Sequence, residues 1–347
     1  MTLRWTIGII LVILLGTAGI NACKKGDGGS GPRALSFTVP PGFPEPHYTF
    51  ATNPLTQEGF ELGRQLFYDG RLSKDGNFPC ASCHQQFAAF ATYDHNLSHG
   101  FDNQFTTRNA PGLFNLVWQP ATHWDGGIVN LEVQPLAPLT APNEMAEEIG
   151  KVISKLSADD SYRQRFKAAF GDETINSQRM LLALTQFVGS LVSANSKYDR
   201  VKRGETSFTP EETIGYTLFQ SKKCVSCHTE PLFTDNSYRN TGLPVDPTIR
   251  DYGRMRITNN PADSLKFKVP SLRNVFLTFP YGHDGRFLST TQVLDHYTSG
   301  VQLSATVDPL LRDGIPLNNT EKYYIQQFLR TLTDSAFLKD PRFAQPQ

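Results

Sequence analysis

Two five-residue stretches carry the chemistry of this chain: Cys80-Ala81-Ser82-Cys83-His84 and Cys224-Val225-Ser226-Cys227-His228. A pair of thiols at this spacing can add to the two vinyl groups of a haem, and the imidazole directly after them falls under the iron as proximal ligand. With five Cys and eight His in 347 residues, two chance matches have a probability on the order of 10⁻⁶ from composition alone. The competing use of four thiols is a zinc site. Zinc normally takes its cysteine pairs about 15–20 residues apart, whereas Cys83 and Cys224 are 141 positions apart. Nor does zinc account for a His after each pair. The motifs predict two covalently bound haem c groups, attached through Cys80, Cys83, Cys224 and Cys227, with His84 and His228 as iron ligands.

Formal charge is zero, 33 basic residues against 33 acidic ones, which gives no support to a nucleic-acid partner. The length suffices for two domains with their own cores. Four of the five cysteines belong to the haem motifs and Cys23 remains, so no pair is left for a disulfide. Residues 1–22 carry one early charge, Arg4, and then an apolar run shorter than the roughly 20 residues of a membrane span. They predict a signal peptide. Ile20-Asn21-Ala22-Cys23 resembles a lipoprotein cleavage box, so Cys23 is expected to be the lipidated N-terminus, the chain's membrane contact, on the periplasmic side. Residues 23–45, rich in Gly at their start, are expected to be a flexible tether. An ordinary secretory signal with an unpaired Cys is the alternative.

The elements that must position the two motifs repeat as the motifs do. Thr56-Gln57-Glu58 opens a helix with Leu62, Leu66 and Phe67 at helical spacing. Thr209-Pro210-Glu211-Glu212 opens another, with Thr209 as N-cap, Pro210 at the first helical position, Glu212 closing a capping box, and Ile214, Leu218 and Phe219 on its apolar face. Both read Gly-x-x-Leu-Phe, Gly63 to Phe67 and Gly215 to Phe219. Pro111 to Asn115 has a counterpart in Pro270 to Asn274, and Asp125-Gly126 lies as far from Pro111 as Asp284-Gly285 from Pro270. In this register Trp124 matches His283. The chain is therefore read as an internal duplication: an N-terminal haem domain with a helical extension over 46–203 and a C-terminal haem domain over 204–347. Met180, Leu184, Phe187, Val188 and Leu191 predict a helix between the copies. Asn195 to Gly204 reads as a polar connection, and the three prolines of residues 134–142 predict a fixed, non-helical loop. A last packing helix is expected over about Glu321 to Thr331.

Together the two motifs, Arg108-Asn109-Ala110-Pro111, Trp124-Asp125-Gly126, Leu131-Glu132-Val133-Gln134, Asn143-Glu144-Met145 and Lys268 to Asn274 resemble the bacterial diheme cytochrome c peroxidase family. This family includes the related methylamine-utilisation diheme enzyme. The resemblance covers nearly all of the chain after the leader. It implies a mainly α fold of two tandem c-type cytochrome domains with one covalent haem each. The function it implies is reduction of H₂O₂ to water at the N-terminal haem. Electrons would enter at the C-terminal haem from a small c-type cytochrome or copper protein, and a homodimer is a candidate assembly. Glu144 matches the family's catalytic Glu, Gln134 the residue that shapes the peroxide pocket, and Trp124 the tryptophan between the haems. Proton transfer to the leaving oxygen needs such a carboxyl, although an acid after Asn143 could equally serve a helix start, and Trp124 could be a core aromatic.

For the sixth ligands, His95 and His99 fall in the loop from which several family members ligate the N-terminal iron, with His99 preferred. The position 14 residues after His283, where many peroxidases have Met, is Tyr297. Tyr there resembles the methylamine-utilisation enzyme, and a phenolate ligand lowers the iron potential whereas Met raises it. Packing against His296 is the plain alternative, and Met255 a remote alternative ligand. A Ca²⁺ is implied at Asn109, with the carbonyls of Thr278 and Pro280. Two rival functions stay open. One is a diheme oxidase that modifies a protein or small substrate through a high-valent state. The other is a non-enzymatic electron-transfer cytochrome, which has no need of Glu144 or Gln134.

Overall fold

The structure, a computed structural model, describes residues 31–93 and 95–347; the leader, Cys23 and the first residues of the expected tether lie outside the described residues. Helices dominate the remainder. Helix α1 (Gln57–Phe67) starts where Thr56 accepts a hydrogen bond from the Gly59 amide at 3.0 Å, and it buries Leu62, Leu66 and Phe67. The tether is shorter than expected at its end. The Leu35 amide donates to the Leu55 carbonyl at 2.9 Å, and Leu35, Phe37, Val39 and Phe43 pack on the first core. Four apolar side chains in nine residues can bury enough surface to order that stretch.

The proline-rich run holds a helix after all, α2 (Leu136–Thr140). Pro135 is its N-cap and Pro138 its third residue, so neither removes an amide that had an intrahelical acceptor. Helices α3 (Ile149–Ser157), α4 (Asp160–Phe170) and α5 (Ser177–Gly189) follow. On α5, Met180, Leu184, Phe187 and Val188 are buried as the periodicity requires.

The polar connection is also more than a linker. Helix α6 (Lys197–Lys202) has a complete capping box between Ser196 and Asp199. Asp199 then binds Arg273, which is fully buried, through two contacts of 2.8 Å. Helix α7 (Pro210–Ser221) has the expected Thr209/Glu212 box, with Phe219 buried. Ile214 is the exception and stays exposed, because it precedes the buried Gly215 and so faces about 100° away from the packed stripe. A two-stranded antiparallel ribbon pairs β1 (Tyr238–Arg239) with β2 (Phe267–Lys268), Tyr238 opposite Lys268. Then come α8 (Thr290–Asp295), a π-helical turn over His296–Gly300, and α9 (Asn319–Arg330).

Two helix pairs frame the haem motifs, α1 against α5 and α7 against α9. Each meets at a glycine notch. A Cβ on Gly63 would strike the Ala183 carbonyl oxygen and one on Gly215 the Tyr324 carbonyl oxygen, with Phe187 and Phe328, each four residues further on, beside the notch. One hydrophobic cluster is built around Leu66, Phe67, Phe90 and Phe187, the other around Phe219, Phe233, Ile325 and Phe328. The chain after Leu332 does not stay with the second. Phe337 and Phe343 belong to the first, and the Tyr68 hydroxyl donates to the Phe343 carbonyl at 2.8 Å.

Candidate functional site

Helix α1 delivers the chain to Cys80–Cys83, a single helical turn, and α7 delivers it to the 3₁₀ turn Cys224–Ser226. His84 Nδ1 lies 2.8 Å from the Phe90 carbonyl oxygen, and His228 Nδ1 lies 3.2 Å from that of Phe233 and 3.1 Å from that of Pro270. Both phenylalanines have left-handed backbones, φ 58° and 54°, which turn those carbonyls toward the imidazoles. Donation from Nδ1 fixes the tautomer and leaves each Nε2 lone pair for a metal, the arrangement expected of a histidine ligand. Burial pushes the His84 imidazole down to about 4 and also lowers that of His228, so both are neutral and able to ligate. Burial pushes the Cys80 and Cys224 thiols up to about 12 and about 11. All four motif cysteines are free of disulfides. Two neutral imidazoles, each beside a pair of free thiols, fit two covalently held haems.

A single cavity of about 880 Å³ joins the two motifs. It is lined by Cys83, His84, Cys224, Cys227 and His228, and also by Gln134, Glu144, Trp124 and Tyr297. Glu144 is not at a helix start. It sits in a turn whose amide donates to the Ala141 carbonyl, and α3 begins only at Ile149. Asn143 caps nothing and instead donates to the Phe105 carbonyl at 3.1 Å. Burial alone holds the Glu144 carboxyl above the usual carboxylate range.

Trp124 and its match in the other half, His283, lie on the cavity wall and are joined through Asn109. The Trp124 indole donates to the Asn109 carbonyl at 2.9 Å, and the Asn109 amide donates to the His283 carbonyl at 2.8 Å. The His283 ring stacks on Phe267 at 3.7 Å. Arg108 ties this wall together through Asp125 and Asp251, both at 2.6 Å. Asn109, Thr278 and Pro280 all line the cavity, and the Asn109 amide nitrogen donates to the Asn96 carbonyl at 3.1 Å, leaving its side-chain oxygen as a donor atom for a hard cation. Tyr297 enters from the π-turn, a rare local form that often marks functional sites. Its phenol is pushed up to about 12 by burial first and by the Cys224 and Cys227 thiols second. Met255 does not line the cavity.

His99 stands apart. Its loop folds back through a bridge to Phe105, its Nδ1 meets the Asn103 side-chain oxygen at 2.8 Å, and it is absent from the cavity wall. The structure brings in His123 instead, which sequence reasoning passed over. Its signal was its place directly before Trp124, where the second half has Gly282. Lys268 on β2 is the other omission. Its ammonium lines the cavity, donates to the Ala121 carbonyl at 2.9 Å and to the Gln119 side chain, and is pushed down to about 8 by burial.

Residues 57–207 match the family described as di-haem cytochrome c peroxidase. The chain is 35% identical over 300 residues to the cytochrome c551 peroxidase of Nitrosomonas europaea, covering 82% of each. It is 34% identical over 301 residues to the methylamine utilization protein MauG of Methylorubrum extorquens, covering 85% of this chain and 83% of that one. Among solved structures, a MauG-like protein associated with microbial copper homeostasis superposes with a TM-score of 0.84 at 33% identity, over 90% of this chain and 99% of that one. The diheme peroxidase BthA of Burkholderia thailandensis, at 21% identity and a TM-score of 0.73, shares the fold. By these matches the chain belongs to the di-haem cytochrome c peroxidase family, whose members include the MauG proteins.

Proposed function

We propose that this protein reduces hydrogen peroxide to water, through two duplicated haem-binding halves. Bound haem would supply the redox-active iron, with electrons from a small c-type cytochrome or copper protein entering at the haem of Cys224, Cys227 and His228 and being used at that of Cys80, Cys83 and His84. The chain's own residues do the rest. Glu144, whose burial holds its carboxyl above the usual carboxylate range, carries the proton from one peroxide oxygen to the other. Gln134 donates to and orients the peroxide. Trp124 and His283, hydrogen-bonded through Asn109, line the cavity that joins the two motifs, and Lys268 would offer a buried cation to the carboxylates of a haem. Asn109, Thr278 and Pro280 are proposed as ligands of a Ca²⁺. The observation that carries the peroxidase reading is Glu144 and Gln134 on the same cavity as His84, since a carrier of electrons needs neither. The test is peroxide-dependent oxidation of a reduced c-type cytochrome by the haem-loaded protein, with and without pre-reduction. No turnover under either condition would refute it.

A second reading is favoured by Tyr297. Its phenol lines the cavity within electrostatic reach of Cys224 and Cys227, and as a ligand of the second iron it would favour oxidation of a protein or small substrate without pre-reduction. Localisation is proposed as periplasmic with a lipid anchor at Cys23. Among the described residues no helix is long and apolar enough to cross a membrane. Finding Cys23→Ala still in the membrane fraction would refute the anchor.

A further inference from the structure

We propose that His123 is a second proton-handling group of the His84 cavity, taking the proton of the peroxide oxygen nearer the iron and working alongside Glu144. This rests on the peroxidase reading above. Three observations lead to it. First, His123 shares the cavity wall with His84, Gln134 and Glu144, and its Nε2 lies 3.4 Å from the Gln134 amide nitrogen. An amide nitrogen only donates, so Nε2 is the acceptor and the ring proton sits on Nδ1. A separation of 3.4 Å exceeds the usual 2.7–3.2 Å range, so this weak bond can be exchanged for a stronger donor such as a peroxide O–H.

Second, the ring is neutral and therefore a base. Burial lowers its affinity for a proton, Arg108 and Lys268 act in the same direction, and Asp125 opposes them. His84 is within electrostatic reach as well. Glu144 and Gln134 face the same cavity from the turns beside α2. Third, His123 has a left-handed backbone, φ 67°, where the matching Gly282 has φ 91°. An L-residue there carries strain that glycine escapes, and such strain persists where the surroundings fix it. Here the bridge between Thr122 and Ile128 fixes the turn. Where the second half has no side chain, the first half adds an imidazole to the cavity wall.

The proton and electron count closes. The near oxygen of H₂O₂ gives its proton to His123 Nε2 as the O–O bond breaks, and Glu144 carries that proton on to the far oxygen, which leaves as water. Two electrons from the external donor and two protons from solvent complete the second water: H₂O₂ + 2 H⁺ + 2 e⁻ → 2 H₂O.

Cyanide tests this without turnover, because HCN must lose its proton to bind ferric haem. In stopped-flow measurements on the haem-loaded protein, His123→Leu should slow cyanide association roughly 10²–10⁴-fold, the usual range for losing a positioned base. The resting spectrum and the haem content should not change. His123→Gln, which keeps a polar side chain of similar reach but cannot take up a proton, should show the same loss. His99→Ala should leave the rate unchanged. Association within twofold of the native rate in both His123 variants would overturn the proposal. So would a low-spin to high-spin change in the resting spectrum of either, since His123 would then be an iron ligand and not a base. Slow cyanide binding in the variants with no peroxide turnover in the native protein would refute the peroxidase reading and leave the role of His123 standing.

Discussion

Replacing Arg273 with Met should cost about 3–5 kcal/mol of stability, the usual penalty for leaving one member of a buried ion pair without its partner. Arg273 is fully buried. Its guanidinium makes two 2.8 Å bonds to Asp199 and two more to the Pro231 carbonyl, at 2.9 and 2.6 Å. In Arg273→Met the Asp199 carboxylate keeps Ser196 as a donor but stays inside the protein with an uncompensated charge. Asp199→Asn should be costly for the reciprocal reason. The double variant should cost less than the sum of the two, with a coupling of about 2 kcal/mol or more. Guanidinium unfolding of the haem-loaded protein measures all four corners of this cycle. The pH dependence has a definite sign. Burial would raise the Asp199 carboxyl, but Arg273 outweighs it and holds the group below its ordinary range. Its stabilising contribution is therefore full above the unfolded value of about 4 and is lost as pH falls through the lower folded value. The gap between native protein and Arg273→Met should close in that acid window. Because Arg273 braces the loop whose Phe233 carbonyl orients His228, the second haem's spectrum should broaden as well. A loss below about 1 kcal/mol, or additivity within about 0.5 kcal/mol, would refute the reasoning.

Glu144→Gln should lower peroxide turnover roughly 10²–10⁴-fold with both haems retained, and turnover within a factor of two of native would remove Glu144 from the chemistry. Since burial raises that carboxyl, the limb of activity that needs its ionised form should rise with pH at a value above the ordinary ~4.3, and the Gln variant should lose that limb. Tyr297→Phe should change the spectrum and potential of the second haem alone, and unchanged values would leave Tyr297 as packing. The purified protein should carry about two haems that survive acid–acetone extraction, and His228→Ala should remove only the second low-spin signal. Gly215→Ala should cost about 1–3 kcal/mol in unfolding assays, because the Tyr324 carbonyl oxygen facing it is backbone and cannot swing away.

What could be read directly was what depends on neighbours in sequence. Thr56, Thr209 and Glu212 cap their helices through bonds three residues long, and the haem motifs are themselves local. The rest turned on contacts and starting points that the sequence pattern does not fix. Asp199 looked like part of a polar connection because Arg273, its partner, is 74 residues away. His99 lies in a loop of the expected kind, yet a bridge to Phe105 turns it toward Asn103 and off the cavity. Pro138 looked like a helix breaker because its rank within the first turn of α2 is set by where that helix starts, which no propensity fixes. Gln134, Glu144 and Trp124 were found by resemblance; their convergence on one cavity with His84 is visible only in three dimensions.

The return of the C-terminal tail to the first core sets an order of events. Phe337 and Phe343 pack with Phe60, Phe90 and Phe187, so the core beneath the first haem motif is closed by residues far along the chain from it. The first half cannot finish its packing until the segment after Leu332 is in place. The same feature means that the two halves cannot be cut apart as modules: a chain stopped after Leu332 would lose its tail and, with it, the floor of the opposite half.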